Sequence, residues 1–244
     1  MIPVTAEQIL RLCPHADQIL VSSVAPHFAP MQARYQVDRP RRVAALMGQL
    51  AVESAGFRAV VEYASGHEYE GRRDLGNTET GDGVRFKGRG LIQITGRANY
   101  RAMGRFLGLP LEQNPDLCAE PEVAVLTAGA FWASRNLNTF ADAWDLREIT
   151  RRIQGGAGML AERIALSTRA AVIWDADLKG SVPSGALTLS IQRALNALGQ
   201  HPPLAEDGAY GPATRTAVIA FQRGRGLAQD GIAGPETLTA LGCI

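Results

Sequence analysis

Lysine is nearly missing from this chain: Lys87 and Lys179 are the only two among 25 basic residues. Acidic and basic residues almost cancel, leaving a formal charge of +1. No field of one sign is on hand to hold a nucleic acid or an anionic membrane, and neither is expected as a partner. Cysteine is as scarce, with Cys13, Cys118 and Cys243. An odd, sparse count argues against a disulfide framework and suits a reducing compartment. Cys13 and Cys118 lack a recognisable His-paired context, so they are expected to be structural. No stretch of about 18 apolar residues occurs, which argues against a membrane span. The opening residues, MIPVTAEQILRLCPHA, lack the basic and apolar regions of a secretory signal. The chain is therefore expected to accumulate in the cytoplasm, and to be released by something else if its substrate lies outside. His15, His27, His67 and His201 show no zinc-ligand spacing, and no metal is expected. GRGLIQITG (88–96) lacks the Lys-Ser/Thr ending of a phosphate loop, which argues against nucleotide binding.

What is present is a run of helix signals. The chain has 244 residues and is 46% hydrophobic, enough for a medium domain plus a small one. Thr5 and Gln8 stand at capping-box spacing, as do Asp145 and Glu148. RPRRVAALMGQLAVES is amphipathic, EPEVAVLTAGAFWASRN opens with a first-turn proline, and LAERIALSTRAAVIWDADL predicts a long helix. Residues 71–96 are rich in Gly, Asp, Asn and Thr and predict a loop with a short strand pair. Trp132 and Trp144 are expected in the core. The fold class is mainly all-α, with a first domain at 1–178, a linker at 179–186 (small residues and one proline), and a second domain at 187–244. That second domain carries an internal repeat. DGAYGPATRTAV (207–218) and DGIAGPETLTAL (230–241) match at Asp-Gly, Gly-Pro, Thr and Ala. In each copy Asp-Gly supplies a turn and Pro pre-sets a helix start.

Two glutamates stand out. Leu46, Leu50, Glu53 and Phe57 recur at helical spacing, so Glu53 shares an apolar face. Glu62 lies nine positions on and is followed by the polar segment YASGHEYEG. Burial raises the pKa of a carboxyl and suits it to act as an acid, while a wetter carboxylate stays ionised and suits a base. Glycoside hydrolysis uses such a pair. Spacing alone also fits a glutamate at a helix end and another on an exposed turn. Gly88, Gly90 and Gly96 fit tight turns equally well.

FKGRGLIQITGRANY (86–100), then NPDL, AGAFWASRN, ITRRIQGG and AERI, resemble in order the motifs of glycoside hydrolase family 19. IQRALNALG and the two repeats resemble the peptidoglycan-binding domain at the ends of cell-wall hydrolases. Together the chain looks like a modular phage or prophage endolysin. The resemblance implies a lysozyme-like helical catalytic domain, a small three-helix binding domain, an inverting mechanism and no cofactor. It implies Glu53 as general acid, Glu62 as general base and Thr95 as a holder of the attacking water. Gln93 and Asn99 match polar residues lining the sugar cleft, and Arg163 an arginine near the carboxylates. Gln154 stands where the family has asparagine, so the amide is kept but lengthened. The long glutamate spacing of plant members is not kept here, and Glu68 and Glu70 stand as substitutes for Glu62. The implied partner is peptidoglycan, the implied state a monomer in the host cytoplasm until a membrane-permeabilising protein releases it. A chitinase, a lytic transglycosylase (echoed in ESAGF and GLIQI) and a non-catalytic wall-binding protein are the rivals.

Overall fold

The computed structural model describes residues 2–156, 159–174, 185–227, 229, 231 and 233–243. Its helices are α1 (Ala6–Leu12), α2 (Gln18–Val24), α3 (Phe28–Tyr35), α4 (Pro40–Glu53), α5 (Asp82–Arg85), α6 (Arg97–Leu107), α7 (Pro121–Ser134), α8 (Leu137–Asp142), α9 (Leu146–Gln154), α10 (Leu160–Ile173), α11 (Gly185–Ala197), α12 (Pro212–Gly224) and α13 (Pro235–Ala240). The chain forms two compact units, Met1–Asp38 with Leu50–Asn138, and Arg39–Gln49 with Thr139–Ile244. The mainly helical expectation holds.

In the first unit α7 is the central helix, packed by α2, α3 and α6. Ala124, Val125, Ala128, Ala130 and Trp132 are all buried on it, as a helix surrounded by others requires. The capping box at Thr5 and Gln8 is complete. The expected strand pair reduces to two isolated antiparallel bridges, Val61 with Arg89 and Arg89 with Ile94. Left-handed backbone at Gly90, Gln93 and Gly96 breaks any longer ladder there.

In the second unit α10 packs on α9, α11 and α13. A Cβ on Gly48 of α4 would stand 2.4 Å from the Ser167 Cα of α10, so only glycine permits this approach. Asp145 accepts the Glu148 N–H, but the Glu148 carboxylate turns to Arg151 and Arg152 instead of completing the expected capping box. Two arginines in the next turn outbid one backbone N–H for a carboxylate. Residues 179–184 of the expected linker lie outside the described residues, and Gly185 already opens α11.

The repeats obey one local rule. Gly211 and Gly234 are N-caps, and Pro212 and Pro235 follow in the first turn. Gln192 on α11 accepts the Gly208 N–H and donates to Thr214; Gln222 on α12 accepts the Gly231 N–H and donates to Thr237. Each buried glutamine thus closes the glycine turn and helix start of the copy that follows.

Candidate active site

Glu53 is the last residue of α4. Leu46 and Leu50 on its face are buried, but Glu53 itself is only half-buried. The expectation of a core-pressed carboxylate is corrected to this extent. The helix stops there because Ser54 Oγ donates to the Leu50 carbonyl, and Ala55, Gly56 and Phe57 then take left-handed conformations. Those positive φ values at two residues with side chains are strained, and they turn the chain away as Glu53 ends the helix.

Glu62 sits on irregular chain, held from several sides. Its N–H donates to the Gly88 carbonyl at 2.9 Å. Its Oε2 accepts the Gly88 N–H at 3.0 Å, and its Oε1 accepts the Tyr69 hydroxyl at 2.7 Å. The Lys87 ammonium donates to the carbonyls of Glu62 and Ala64, both at 3.1 Å. Burial, and then the bond to Glu62, pushes the Tyr69 hydroxyl up to about 12, so it remains a donor across the working pH range. Tyr69 is fixed in turn by Asn77, whose Nδ2 donates to the Tyr69 carbonyl and whose Oδ1 accepts the Arg97 N–H.

Gln93 and Thr95 come to the same place. A point one Cβ out from Gly88 is 2.6 Å from Gln93 Oε1, 3.0 Å from Glu62 Oε2 and 3.3 Å from Thr95 Oγ1. Gln93 Nε2 donates to the Gly90 carbonyl, which turns Oε1 toward Gly88. Thr95 Oγ1 donates to the Gln93 carbonyl, which leaves its lone pairs outward. Gln93 has φ 53°, an uncommon conformation for a residue with a side chain. Asn99 is exposed and donates to the Thr95 carbonyl at 2.7 Å, tying the loop to the first turn of α6.

The substitutes for Glu62 are placed differently. The Glu70 carboxylate accepts the N–H groups of Gly81 and Gly83, so it closes a loop. Glu68 is exposed on a 3₁₀ turn. Arg163 and Gln154 belong to the second unit. Arg163, 2% exposed, donates to Gln49 Oε1 and Gln154 Oε1, both at 2.8 Å. The longer amide at 154 therefore reaches the guanidinium. Trp132 and Trp144 are core residues, as expected, and burial pushes the Cys118 thiol up to about 12. Among the described residues no His/Cys/Asp/Glu group is spaced to hold a metal ion.

Residues 19–142, just over half of the chain, match the family model for chitinase class I of glycoside hydrolase family 19. The chain belongs to glycoside hydrolase family 19. Residues 184–241 match the model of a peptidoglycan binding domain. A glycosyl hydrolase family 19 domain-containing protein of Haemophilus influenzae is 38% identical over 109 residues, covering 45% of this chain and 52% of that protein. An endochitinase of Arabidopsis thaliana is 37% identical over 117 residues, covering 48% of this chain and 40% of that one. The chain thus spans about half the length, or less, of these curated relatives. Chitinase C from Streptomyces griseus superposes with a TM-score of 0.61 at 21% identity, over 74% of this chain and 79% of the other. A second bacterial family 19 chitinase gives 0.61 at 19% identity, over 71% and 96%. These two likenesses carry the fold, the helical lysozyme-like architecture of family 19.

Sequence reasoning missed Tyr69 and Lys87. Nothing local in HEYEG marks the tyrosine, because its partner Glu62 is met only through the turn between them. The scarcity of lysine was a signal for Lys87 that composition alone could not place.

Proposed function

We propose that this family 19 protein hydrolyses the β-1,4 bond between N-acetylmuramic acid and N-acetylglucosamine in peptidoglycan, with inversion, as a phage or prophage endolysin. The observation that carries the reading is the convergence of Glu62, Gln93 and Thr95 on Gly88 in a chain that also matches a peptidoglycan binding domain. Glu53 gives its proton to the leaving oxygen as the bond to the anomeric carbon breaks. Glu62 takes a proton from the water whose oxygen forms the new bond to that carbon. Thr95 has spent its own hydrogen on the Gln93 carbonyl, so it accepts one hydrogen of the water and leaves a lone pair free for attack. Inversion requires the two carboxyl groups to lie roughly 6.5–9.5 Å apart, with room for that water between them. Of the other residues proposed to bind substrate, Gln93 and Asn99 lie in the first unit and Arg163 and Gln154 in the second.

In this reading residues 1–178 act on the sugar, residues 187–244 hold the wall, and 179–186 link them. The monomer waits in the host cytoplasm until a separate protein permeabilises the membrane. Chitin is the second candidate substrate, because the Arabidopsis relative is named an endochitinase. Product analysis on purified peptidoglycan and on chitin tests the reading. A new reducing end from peptidoglycan, in the α configuration, is expected. A 1,6-anhydro product would mean transglycosylation, release from chitin alone would mean a chitinase, and no product from either would leave a binding protein.

A further inference from the structure

The N–H that Gly88 donates to Glu62 Oε2, at 3.0 Å, belongs to a peptide bond whose other end is the Lys87 carbonyl. That carbonyl accepts from two buried side chains. The Tyr100 hydroxyl donates to it at 2.7 Å and Arg89 Nη1 at 3.2 Å. Tyr100, on α6, is fully buried, and Arg89 is 8% exposed. Arg89 Nη1 also donates to the Tyr100 oxygen at 3.2 Å, which directs the tyrosine's own hydrogen to the carbonyl. Burial pushes the Tyr100 hydroxyl up, against a lowering by Arg89, and it stays a donor. Arg89 is anchored in turn by the Asp116 carboxylate and the Arg85 carbonyl, both at 2.9 Å. These donors end on the carbonyl, one peptide unit short of the glutamate.

A trans peptide carries its C=O and N–H on opposite sides of one plane and shares electrons between them. A donor on the oxygen fixes that plane, and so the direction of the N–H. It also draws electron density to the oxygen, and hydrogen bonds linked in this way strengthen one another in a low-dielectric interior. We propose that Tyr100 and Arg89 are positioning residues that hold Glu62 through the Lys87–Gly88 peptide bond. The inference rests on the reading of Glu62 as base. It goes beyond that reading by assigning a relay, hydroxyl to carbonyl and then N–H to carboxylate, that carries the rigidity of α6 to Oε2. Tyr69 holds Oε1 directly. Each carboxylate oxygen thus has its own tyrosine, one in contact and one acting through a peptide bond.

Tyr100→Phe tests this, because it keeps the ring that packs on Phe86 and removes only the hydroxyl. On soluble glycan chains from purified peptidoglycan, kcat is expected to fall about fivefold, the worth of one hydrogen bond, with KM unchanged. In the NMR spectrum of the same variant the Gly88 amide proton moves upfield, because its bond to Glu62 weakens. A normal kcat overturns the proposal. So does an unmoved Gly88 signal, even with a lowered melting temperature, since that is what a merely structural tyrosine would give. Combination with Glu62→Gln adds a second reading. A tyrosine that acts through Glu62 leaves the residual rate of Glu62→Gln unchanged when its hydroxyl is removed, and the same loss in that background overturns the relay. If Tyr100→Phe does not fold, the unaltered protein decides. A scalar coupling across the hydrogen bond, from the Gly88 nitrogen to the Glu62 carboxylate carbon, is expected, and its absence overturns the proposal. Glu62→Gln alone separates the two claims. A near-normal rate for it removes the base reading itself, whereas an inactive Glu62→Gln beside a Tyr100→Phe of normal kcat removes only the relay.

Discussion

Glu53 and Glu62 stand nine positions apart and are placed by different means. Glu53 is placed by regular structure, at the end of fourteen helical residues whose apolar side chains are fixed in the core. Glu62 is placed by side chains and turns that come from 7, 25 and 26 positions away, Tyr69, Lys87 and Gly88. A helix aims its last side chain through packing that many residues share. A loop residue needs its own hydrogen bonds, each of which immobilises it further. The glutamate on irregular chain is consequently bonded through its N–H, its carbonyl and both carboxylate oxygens. Under the roles proposed for them, Glu53 would reach a leaving oxygen from a shared scaffold, and Glu62 would meet a water from a carboxylate fixed by its own bonds.

Replacing each carboxylate by its amide breaks the comparison most severely. Glu53→Gln is expected to lower the hydrolysis rate by about 10²–10⁴-fold, with thermal stability unchanged or raised, as measured by reducing-end release and melting. Near-normal lysis by that variant would remove Glu53 from the acid role. Next in size is Asp82→Asn, which attacks only the Glu62 side. Asp82 accepts from Arg97 and from the N–H groups of Thr78 and Glu79, in the same segment that holds Tyr69 and Glu70. Removing the buried charge is expected to cost about 3–5 kcal/mol at neutral pH. Arg97 holds the Asp82 carboxyl below the usual range. Its contribution is therefore complete above the ordinary carboxylate range near pH 4 and is lost as pH falls through the lowered folded value. The gap between the melting curves of protein and variant should close in acid; a gap that persists there would deny the charge its role.

Tyr69→Phe is milder and more selective. It removes one donor from Glu62 and leaves Glu53 untouched, so kcat should drop about tenfold, the worth of one hydrogen bond to a charged group, at constant KM. A fall in melting temperature without a fall in kcat would make Tyr69 structural. The smallest effect lies outside both carboxylates. Gln222→Ala frees the Gly231 turn, and retention on sedimented sacculi should weaken a few-fold through lost effective concentration, with the rate on soluble chains unchanged.

Legibility in the sequence followed the same division. Periodicity found α4 and put Glu53 on its apolar face, because a helix writes its geometry into adjacent residues; only the degree of burial differed, since burial depends on where the helix stops. The Asp-Gly and Gly-Pro turns of the repeats were readable for the same local reason, although the glutamines that close them were not. Gln93, Thr95 and Asn99 came from a resemblance, and no spacing rule links them to Glu62. Their meeting around Gly88 is a tertiary event between residues 62 and 95, held by isolated bridges that carry no strand signal. Of the three glycines read as turns, Gly90 and Gly96 have positive φ and Gly88 does not; Gly88 is instead crowded by the oxygens of Gln93, Glu62 and Thr95.

The scarcity of lysine has a practical side. Amine-directed reagents meet two lysine side chains in this protein, and one of them, Lys87, bridges the carbonyls of Glu62 and Ala64. Acylation there would neutralise the ammonium and remove two of its three hydrogens from service, slackening the segment that carries Glu62. Of the two lysine couplings, the one at Lys87 would thus disturb the Glu62 segment directly. Mass mapping of the fraction acylated at Lys87 against residual activity would follow the loosening, and Lys87→Arg, inert to the same reagent, would give a protein that can be tethered without it.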